Sequence, residues 1–238
     1  MSIELIGVSK RTRKTITPVI YENLNIRIEH GDHVALLGPK GSGLDLIVGL
    51  ICGADAPDRG RVVRTSSISW PIPNTNFMHK HLNFVGNARF IARLYGLKPS
   101  EFVPKVLEMA NLGEFVNERL DHCPKDLIGP FSAALGLCLS FDLYLLRSAS
   151  LGGKANGDRF QAIIADLQRD HGLVIATSQA KGVSDLCDKA YVFDSGKAVY
   201  YDDVEEALDH LKRIATKQVD EEEEIVEVPE EDLVDDFF

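Results

Sequence analysis

The sequence predicts an α/β domain in which a mixed sheet is flanked by helices. Three observations lead to this fold class. Short strand-like runs alternate with helical patterns, an apolar strand leads through a glycine-rich turn into a helix, and the middle third of the chain has helical spacing. The length of 238 residues, with 45% hydrophobic and 26% charged residues, suits one globular domain with a large core.

Strand-like runs dominate the beginning of the chain. Residues 3–8 and 24–28 alternate between apolar and polar side chains, as half-exposed strands do. Residues 33–37 are apolar after the first position, which predicts a strand that is buried on both faces. A helix is expected over residues 44–51, and a short β run over 68–70.

Residues from about 78 to 140 are predicted to form a helical subdomain. Apolar side chains recur at three- and four-residue spacing in two successive segments, and an apolar stretch over 133–140 is expected to form another helix. The apolar positions are Leu82, Val85, Ala88, Ala92 and Tyr95 in the first segment, and Phe102, Val106, Met109 and Ala110 in the second.

The last part of the domain returns to alternating strands and helices. Buried strands are predicted over 142–146 and 173–177, with an amphipathic helix between them. Residues 190–193 and 198–201 flank a glycine-containing turn and are expected to form a hairpin that closes the sheet. Asp203 follows as the cap of a last helix.

The formal net charge of −10 is concentrated at the C-terminal end of the sequence. Eleven of the 36 acidic residues fall in residues 220–238, which contain no Lys or Arg, so the rest of the chain is nearly neutral. We therefore predict a domain over 1–217 and a disordered acidic tail over 218–238. Two interpretations of the tail stay open: it keeps the protein soluble, or residues 232–238 dock on a basic partner.

Composition and patterning exclude several other classes of protein. No apolar run is long enough to cross a membrane, the first residues lack the plan of a secretion signal, and no basic stripe with interleaved aromatics indicates nucleic-acid binding. We therefore expect a cytosolic protein without a nucleic-acid partner. His79 and His81 are interpreted as loop residues rather than metal ligands. The cysteines are interpreted as buried, reduced thiols that bind no metal: Cys52, Cys123, Cys138 and Cys187.

A glycine-rich turn is the feature that carries most chemistry. It joins the predicted strand over 33–37 to the helix over 44–51 and consists of Gly38, Pro39, Lys40, Gly41, Ser42 and Gly43. Backbone N–H groups at such a turn, together with the helix dipole, form a concave site that suits phosphate. A nucleotide-binding P-loop has the pattern G-x-x-x-x-G-K-[ST], in which the Lys neutralises phosphate and the hydroxyl holds magnesium.

The last two positions of that pattern are replaced by Leu44 and Asp45. Leu44 removes the ammonium, and Asp45 places a carboxylate near the expected phosphate, where two anions about 4 Å apart repel by roughly 4 kcal/mol at an effective dielectric constant of 20. Asp45 is also expected to accept hydrogen bonds from the first-turn amides of the helix. These replacements predict a site that stays empty, unless Lys40 substitutes for the missing ammonium and Asp45 ligates magnesium directly.

In this turn and in several other segments, the chain resembles the ATP-binding subunit of an ABC transporter, in the branch that exports capsular polysaccharide. Ile-Ser-Trp-Pro at 68–71 and Ala-Arg-Leu-Tyr-Gly at 92–96 are similar to that branch, as are 187–193 and 200–204. The resemblance covers about residues 1–214. It implies an ABC-ATPase-type P-loop NTPase fold, and two subunits that pair head to tail around two ATP molecules and drive a membrane partner.

The resemblance also identifies positions that contact ATP, and each departs from the family pattern. The adenine-stacking aromatic is replaced by Thr12, and the metal-sensing glutamine by Met78. The signature of a serine and two glycines is reduced to Ser132, for which a helix N-cap is an equal alternative. The helix near 82–95 lies where the family contacts its membrane partner, and its Arg89 and Arg93 either face that partner or are merely solvated.

The residues that would hydrolyse ATP are also replaced. Arg147 and Ser148 stand where the family has the magnesium-binding aspartate and the catalytic glutamate, and Gln179 stands where it has a histidine. Phosphoryl transfer relies on positioning and charge neutralisation, so we assign no catalytic residue and no metal site. We hypothesise that Asp45 and Arg147 form an ion pair where the family holds magnesium, and that this pair keeps the pocket empty; the alternative is two unrelated surface charges.

The sequence therefore predicts a non-catalytic cassette subunit or adaptor in polysaccharide export, peripheral to the cytosolic face of the inner membrane. Its expected partners are a membrane permease, an ATP-competent paralogous subunit, or both. No cofactor is expected, and ATP with magnesium would bind only if the site is rescued. Two alternatives remain: a weakly active subunit that contributes one composite site to a heterodimer, and a soluble regulator that binds other proteins.

Overall fold

The computed structural model of the protein describes residues 2–11, 20–148, 151 and 153–226, with the backbone alone described for 20, 153–156 and 217–226. A three-stranded antiparallel sheet has the order β2-β1-β4. Its strands are β1 (Ser2–Arg11), β2 (Ile20–Glu29) and β4 (Arg59–Arg64). The strand β4 was not expected from the sequence, because it carries three arginines and no apolar alternation, and forms by pairing with β1.

A five-stranded mixed sheet has the order β5-β6-β3-β7-β8. The strands β5, β6, β3 and β7 are parallel, and β8 returns antiparallel to β7 as the expected hairpin. Their bounds are β3 (His33–Leu37), β5 (Leu143–Leu146), β6 (Gly172–Thr177), β7 (Lys189–Asp194) and β8 (Lys197–Tyr201). The central strands are buried on both faces, which explains why their sequences are apolar without alternation.

The helices cover the five-stranded sheet and form a cluster beside it. Their bounds are α1 (Leu44–Cys52), α2 (Phe84–Leu94), α3 (Pro99–Ala110), α4 (Lys125–Leu137), α5 (Gly153–Leu167) and α6 (Val204–Val226). The helices α2, α3 and α4 pack on one another, with the rings of Phe84 and Phe131 4.8 Å apart. Asn83 caps α2 by accepting a hydrogen bond from Gly86 N at 2.7 Å.

Two apolar cores lie on opposite faces of the five-stranded sheet. One joins the sheet to α2, α3, α4, α5 and α6, and the other joins it to α1 and the three-stranded sheet. Because α1 follows β3 directly, its first turn lies at the carboxyl ends of the parallel strands. This edge is where α/β folds place their binding sites.

Two sequence expectations about helix boundaries are wrong. The helix α4 begins at Lys125, not near residue 133, so that Ser132 falls inside it. The helix α6 continues through Val226, into the segment that was expected to be disordered from residue 218. Buried Val204, Leu208 and Leu211 anchor its first part, and each further residue extends an existing helix at little cost. Residues 227–238, which include the proposed docking segment, lie outside the described residues.

The cysteines and the hydrophobicity of the helices were also subjects of prediction from the sequence. All four cysteines are free thiols, but only Cys187 is fully buried, whereas Cys52, Cys123 and Cys138 are half-buried. Burial raises the pKa of Cys138 to about 11 and that of Cys187 to about 12, which keeps both as thiols. Among the described helices, none combines the length and the apolar character that crossing a bilayer demands.

We expect the Gly60→Ala substitution to destabilise the fold strongly. Gly60 has φ of 79°, and a Cβ there would overlap the carbonyl oxygen of Gly7 in the neighbouring strand β1. Backbone strain and strand separation together should lower the free energy of unfolding by about 3 kcal/mol. Gly113→Ala is the control, because φ is also positive (57°) but no atom lies within 4 Å, and should cost about 1 kcal/mol. Urea denaturation measures both, and equal costs would contradict the clash.

Candidate functional site

A cavity of about 1170 Å³ lies at the carboxyl ends of β3, β5 and β6. Its wall is formed by the glycine-rich turn, the first turn of α1, residues 55–58 and the residues that follow β5 and β6. All eight residues of the predicted turn and helix start line it: Gly38, Pro39, Lys40, Gly41, Ser42, Gly43, Leu44 and Asp45. The turn that was predicted to form a concave site for phosphate therefore lines a larger cavity.

The turn is fixed from two sides. The hydroxyl of Tyr21, on β2, donates to the carbonyl oxygen of Ser42, and Gly38 N donates to Thr177 O at 3.4 Å. Burial, with the carboxylate of Asp194 nearby, raises the pKa of Tyr21 far above its ordinary value, so the hydroxyl remains a donor. The turn thus has a fixed shape before any ligand is present.

The turn is also wound too tightly for a larger residue at its start. A Cβ added to Gly38 would lie 2.5 Å from Ser42 Oγ, which is closer than real contacts allow. Ser42 is only 6% exposed, and its Oγ has no hydrogen-bond partner among the described residues. A buried hydroxyl without a partner is unfavourable, and it leaves this turn with an unused donor.

The first turn of α1 is not capped by a side chain. Gly43 occupies the N-cap position with φ of 81°, and no side chain accepts a hydrogen bond there. The expectation that Asp45 would accept hydrogen bonds from the first-turn amides is therefore wrong. Its carboxylate turns to Arg147 instead, because a charged donor is a stronger partner than an amide.

The predicted ion pair between Asp45 and Arg147 is confirmed. Arg147 Nη2 lies 2.5 Å from Asp45 Oδ1, although the residues are 102 positions apart in sequence. The backbone N of Arg147 donates to Ile72 O at 2.8 Å, which fixes the end of β5. The side chains are 46% and 78% exposed, so water screens the pair, and such pairs contribute about 1 kcal/mol or less.

Lys10 is a cavity residue that the sequence analysis missed. Its ammonium lies 2.8 Å from Asp55 Oδ1 and 2.6 Å from Ala56 O, and the residue is 8% exposed. Asp58 Oδ2 accepts from the backbone N of Arg11 at 3.0 Å. These contacts hold residues 55–58 against β1. The available signal was that Lys10 occupies an inward position of β1, where apolar residues otherwise stand.

The structure brings together only some of the positions that the resemblance identifies. Arg147, Ser148 and Gln179 line the cavity, and Gln179 N donates to Thr177 Oγ1 at 3.1 Å. Met78 does not line it and packs half-buried against the core beside the helical cluster. Thr12 lies outside the described residues.

Neither interpretation of Ser132 is correct. The residue is fully buried inside α4, where Oγ donates to Asn74 O at 2.6 Å and accepts from Asn74 N at 2.9 Å. It caps no helix, and it cannot face the ATP of a second subunit. Both interpretations assumed a helix that starts at residue 132, whereas α4 starts at Lys125.

The residues at this site do not fit a magnesium ion. Mg²⁺ requires oxygen ligands in octahedral geometry, and here the carboxylate of Asp45 is in contact with the guanidinium of Arg147. Within the described residues, no group of three or more His, Cys, Asp or Glu side chains could hold a metal ion. The residue that directly follows β5 carries a positive charge, that of Arg147.

The chain is similar to ATP-binding proteins of capsule export and polysialic acid transport. The chain is 24% identical over 215 residues to the capsule polysaccharide export ATP-binding protein CtrD of Neisseria meningitidis serogroup B, covering 90% of this chain and 99% of that protein. It is 27% identical over 217 residues to the polysialic acid transport ATP-binding protein KpsT of Escherichia coli, covering 88% of this chain and 99% of that protein. No protein-family model matches the chain.

Solved structures show the fold. An ATP-binding subunit of an ABC transporter superposes with a TM-score of 0.73 at 20% identity, covering 91% of this chain and all of that one. A dimeric ATP-binding cassette in a post-hydrolysis state, bound to ADP and Pi, superposes with a TM-score of 0.69 at 18% identity. The match covers 82% of this chain and 96% of that one. The chain has the ABC ATPase cassette fold, so the predicted fold class is confirmed.

We expect two ion pairs that line the cavity, Lys10 with Asp55 and Arg147 with Asp45, to differ in their effect on stability. Lys10→Met leaves Ala56 O and Asp55 without their buried donor and should lower the free energy of unfolding by about 2 kcal/mol. Arg147→Met removes a screened, exposed contact and should lower it by less than about 1 kcal/mol. Chemical denaturation in urea, with equal m-values for the variants, measures the difference. A larger cost for Arg147→Met would contradict this assignment.

Proposed function

We propose that this chain is a non-hydrolysing cassette subunit of an assembly that exports capsular or surface polysaccharide. Relatives that match nearly end to end are named for capsule export and polysialic acid transport, and these names support the polysaccharide export part of the proposal. The ion pair of Asp45 with Arg147 is the observation that carries the non-hydrolysing part of the proposal.

The chemistry of the cavity supports this proposal. Phosphoryl transfer needs neutralisation of phosphate charge, a metal ion and an oriented water. Leu44 supplies no ammonium, Arg147 and Ser148 supply no carboxylate at the end of β5, and Gln179 supplies no imidazole. Among the described residues at the ends of β5 and β6, none offers a carboxylate or an imidazole to activate the attacking water.

One observation favours a second candidate function. Because no side chain caps α1, the first-turn amides other than Leu46 N, which donates to Gly43 O at 2.9 Å, are available for a phosphate, as they would be in a subunit that holds nucleotide for a heterodimer. The buried position of Ser132 argues that such a subunit would not complete its partner's site through that serine. In this alternative, an ATP-competent paralogous subunit performs the hydrolysis.

The helix α2 is our proposed contact with a membrane permease, at the cytosolic face of the inner membrane. Phe90 and Leu94 are one turn apart on α2, and they are 54% and 66% exposed. Arg89 and Arg93 are exposed beside them. Large apolar side chains that remain in water on one helix face are typical of a protein–protein interface.

We expect the purified chain to release no phosphate from ATP in the presence of magnesium. The reason is the fixed guanidinium of Arg147 where a metal ligand is needed. The measurement is phosphate release over hours at saturating ATP. The matched blank is the Arg147→Met variant, which also has no carboxylate at that position. Magnesium-dependent release that saturates with ATP and is lost in the variant would refute the non-hydrolysing proposal.

We also expect the paired substitutions Phe90→Ser and Leu94→Ser to abolish co-purification with a polytopic permease from detergent-solubilised membranes, with recovery falling about tenfold or more. Val199→Ser with Tyr200→Ser is the control, because those side chains are 42% and 44% exposed on β8. Recovery of the permease would be measured by quantitative mass spectrometry. Equal recovery with both variants would exclude α2 as the contact.

A further inference from the structure

The arrangement at Asp45 and Arg147 has a consequence for ligand binding as well as for hydrolysis. In this cavity a cation is built into the protein at the end of β5, in contact with the first turn of α1. A guanidinium is always protonated and cannot give up its charge to make room for a metal ion. A phosphate at this place would therefore meet a positive charge without any magnesium.

We propose that the cavity binds a nucleoside triphosphate without a divalent cation, with Arg147 in the role that a metal ion would have. This inference rests on the proposed non-hydrolysing function, because metal-free binding gives no route to phosphoryl transfer. It differs from the sequence expectation of an empty site. The difference arises because Asp45 pairs with Arg147 rather than filling the cradle.

The exposed ion pair can exchange its anion at low cost. Asp45 is 78% exposed, so its carboxylate can rotate into water when a phosphate takes its place on Arg147. Arginine forms two parallel hydrogen bonds with phosphate as readily as with carboxylate. High exposure also weakens the repulsion between Asp45 and a bound phosphate, because the effective dielectric constant is close to that of water.

Other donors around the cavity are uncommitted. Lys40 is exposed on the cavity wall and has no ion-pair partner among the described residues. Ser42, also on the wall and 6% exposed, has an Oγ without a hydrogen-bond partner there. Lys10, by contrast, is occupied by Asp55 and Ala56. Lys40 and Arg147 are thus the cations we expect to face the phosphates.

Magnesium should weaken binding at this site. A triphosphate chelated by Mg²⁺ carries a divalent positive charge among its phosphate oxygens, and Arg147 would repel that charge at close range. The metal also occupies oxygens that Arg147 and Lys40 would bind. Free nucleotide is therefore the preferred ligand, which is opposite to the preference of a hydrolytic site.

The test is ATP binding to the full chain by isothermal titration calorimetry, with a thermal shift in parallel, once in EDTA and once in excess Mg²⁺. We expect a saturable rise in melting temperature in EDTA, and an apparent Kd about tenfold or more weaker in Mg²⁺. No binding in EDTA, or tighter binding in Mg²⁺ than in EDTA, would overturn the proposal.

A charge-reversed variant tests the role assigned to Arg147. Arg147→Asp with Asp45→Ser supplies a carboxylate and a hydroxyl, and should bind ATP more tightly in Mg²⁺ than in EDTA. Arg159→Asp with Glu108→Ser is the matched control, because that exposed pair, 43% and 79%, lies outside the cavity wall. This control variant should bind ATP more weakly in Mg²⁺ than in EDTA, as the unmodified chain is expected to do. If the charge-reversed variant does not fold, the Arg147→Met variant is used instead, and its affinity for ATP in EDTA should be about tenfold lower than that of the unmodified chain. An unchanged affinity would refute the role assigned to Arg147.

Phosphate release is measured separately on the same samples, so the two proposals fail in different ways. Release of phosphate with magnesium refutes the non-hydrolysing function. Absence of ATP binding in EDTA, without any release of phosphate, refutes only the metal-free site.

Discussion

The parallel pairing of β3 between β6 and β7 is the constraint on which the rest of the structure depends. The strand β3 is buried on both faces, so core packing fixes its register with β6 and β7. It brings the end of β3, and with it the glycine-rich turn, beside the ends of β5 and β6. The cavity exists because these strands end at one edge and because Tyr21 and Thr177 hold the turn there.

The charges at this edge are the basis of the proposal that the chain does not hydrolyse ATP. The fold brings α1 and the end of β5 into contact, and in a metal-binding site two oxygen ligands would meet there. Here an acid and a guanidinium meet, which satisfies both charges without a metal ion. The pair is exposed, so it contributes little to the stability of the fold, and its proposed effect is on the charge of the ligand that the cavity accepts.

The helical cluster shows how local patterns mislead when the partner is distant in sequence. Ser132 stands before small residues in a sequence motif that suggests a helix start, yet α4 already extends past it and the hydroxyl satisfies the backbone of Asn74. The polar strand β4 has no pattern of its own and forms because β1 offers hydrogen-bonding groups. Lys10 occupies an inward position of β1, and its charge is satisfied there because residues 55–58 supply a carboxylate and a carbonyl oxygen to it.

The sequence by itself determined the order of most strands and helices, the glycine-rich turn at the end of β3 and the identity of the residues at Leu44, Arg147 and Gln179. These features depend on local periodicity and on residue identity, both of which are visible along the chain. Only the tertiary structure decided that Asp45 turns to Arg147 and leaves the helix amides open, that Lys10 is buried and that Ser132 is enclosed. Each of these outcomes depends on which groups meet across the fold, and contacts between residues up to 102 positions apart cannot be read from local pattern.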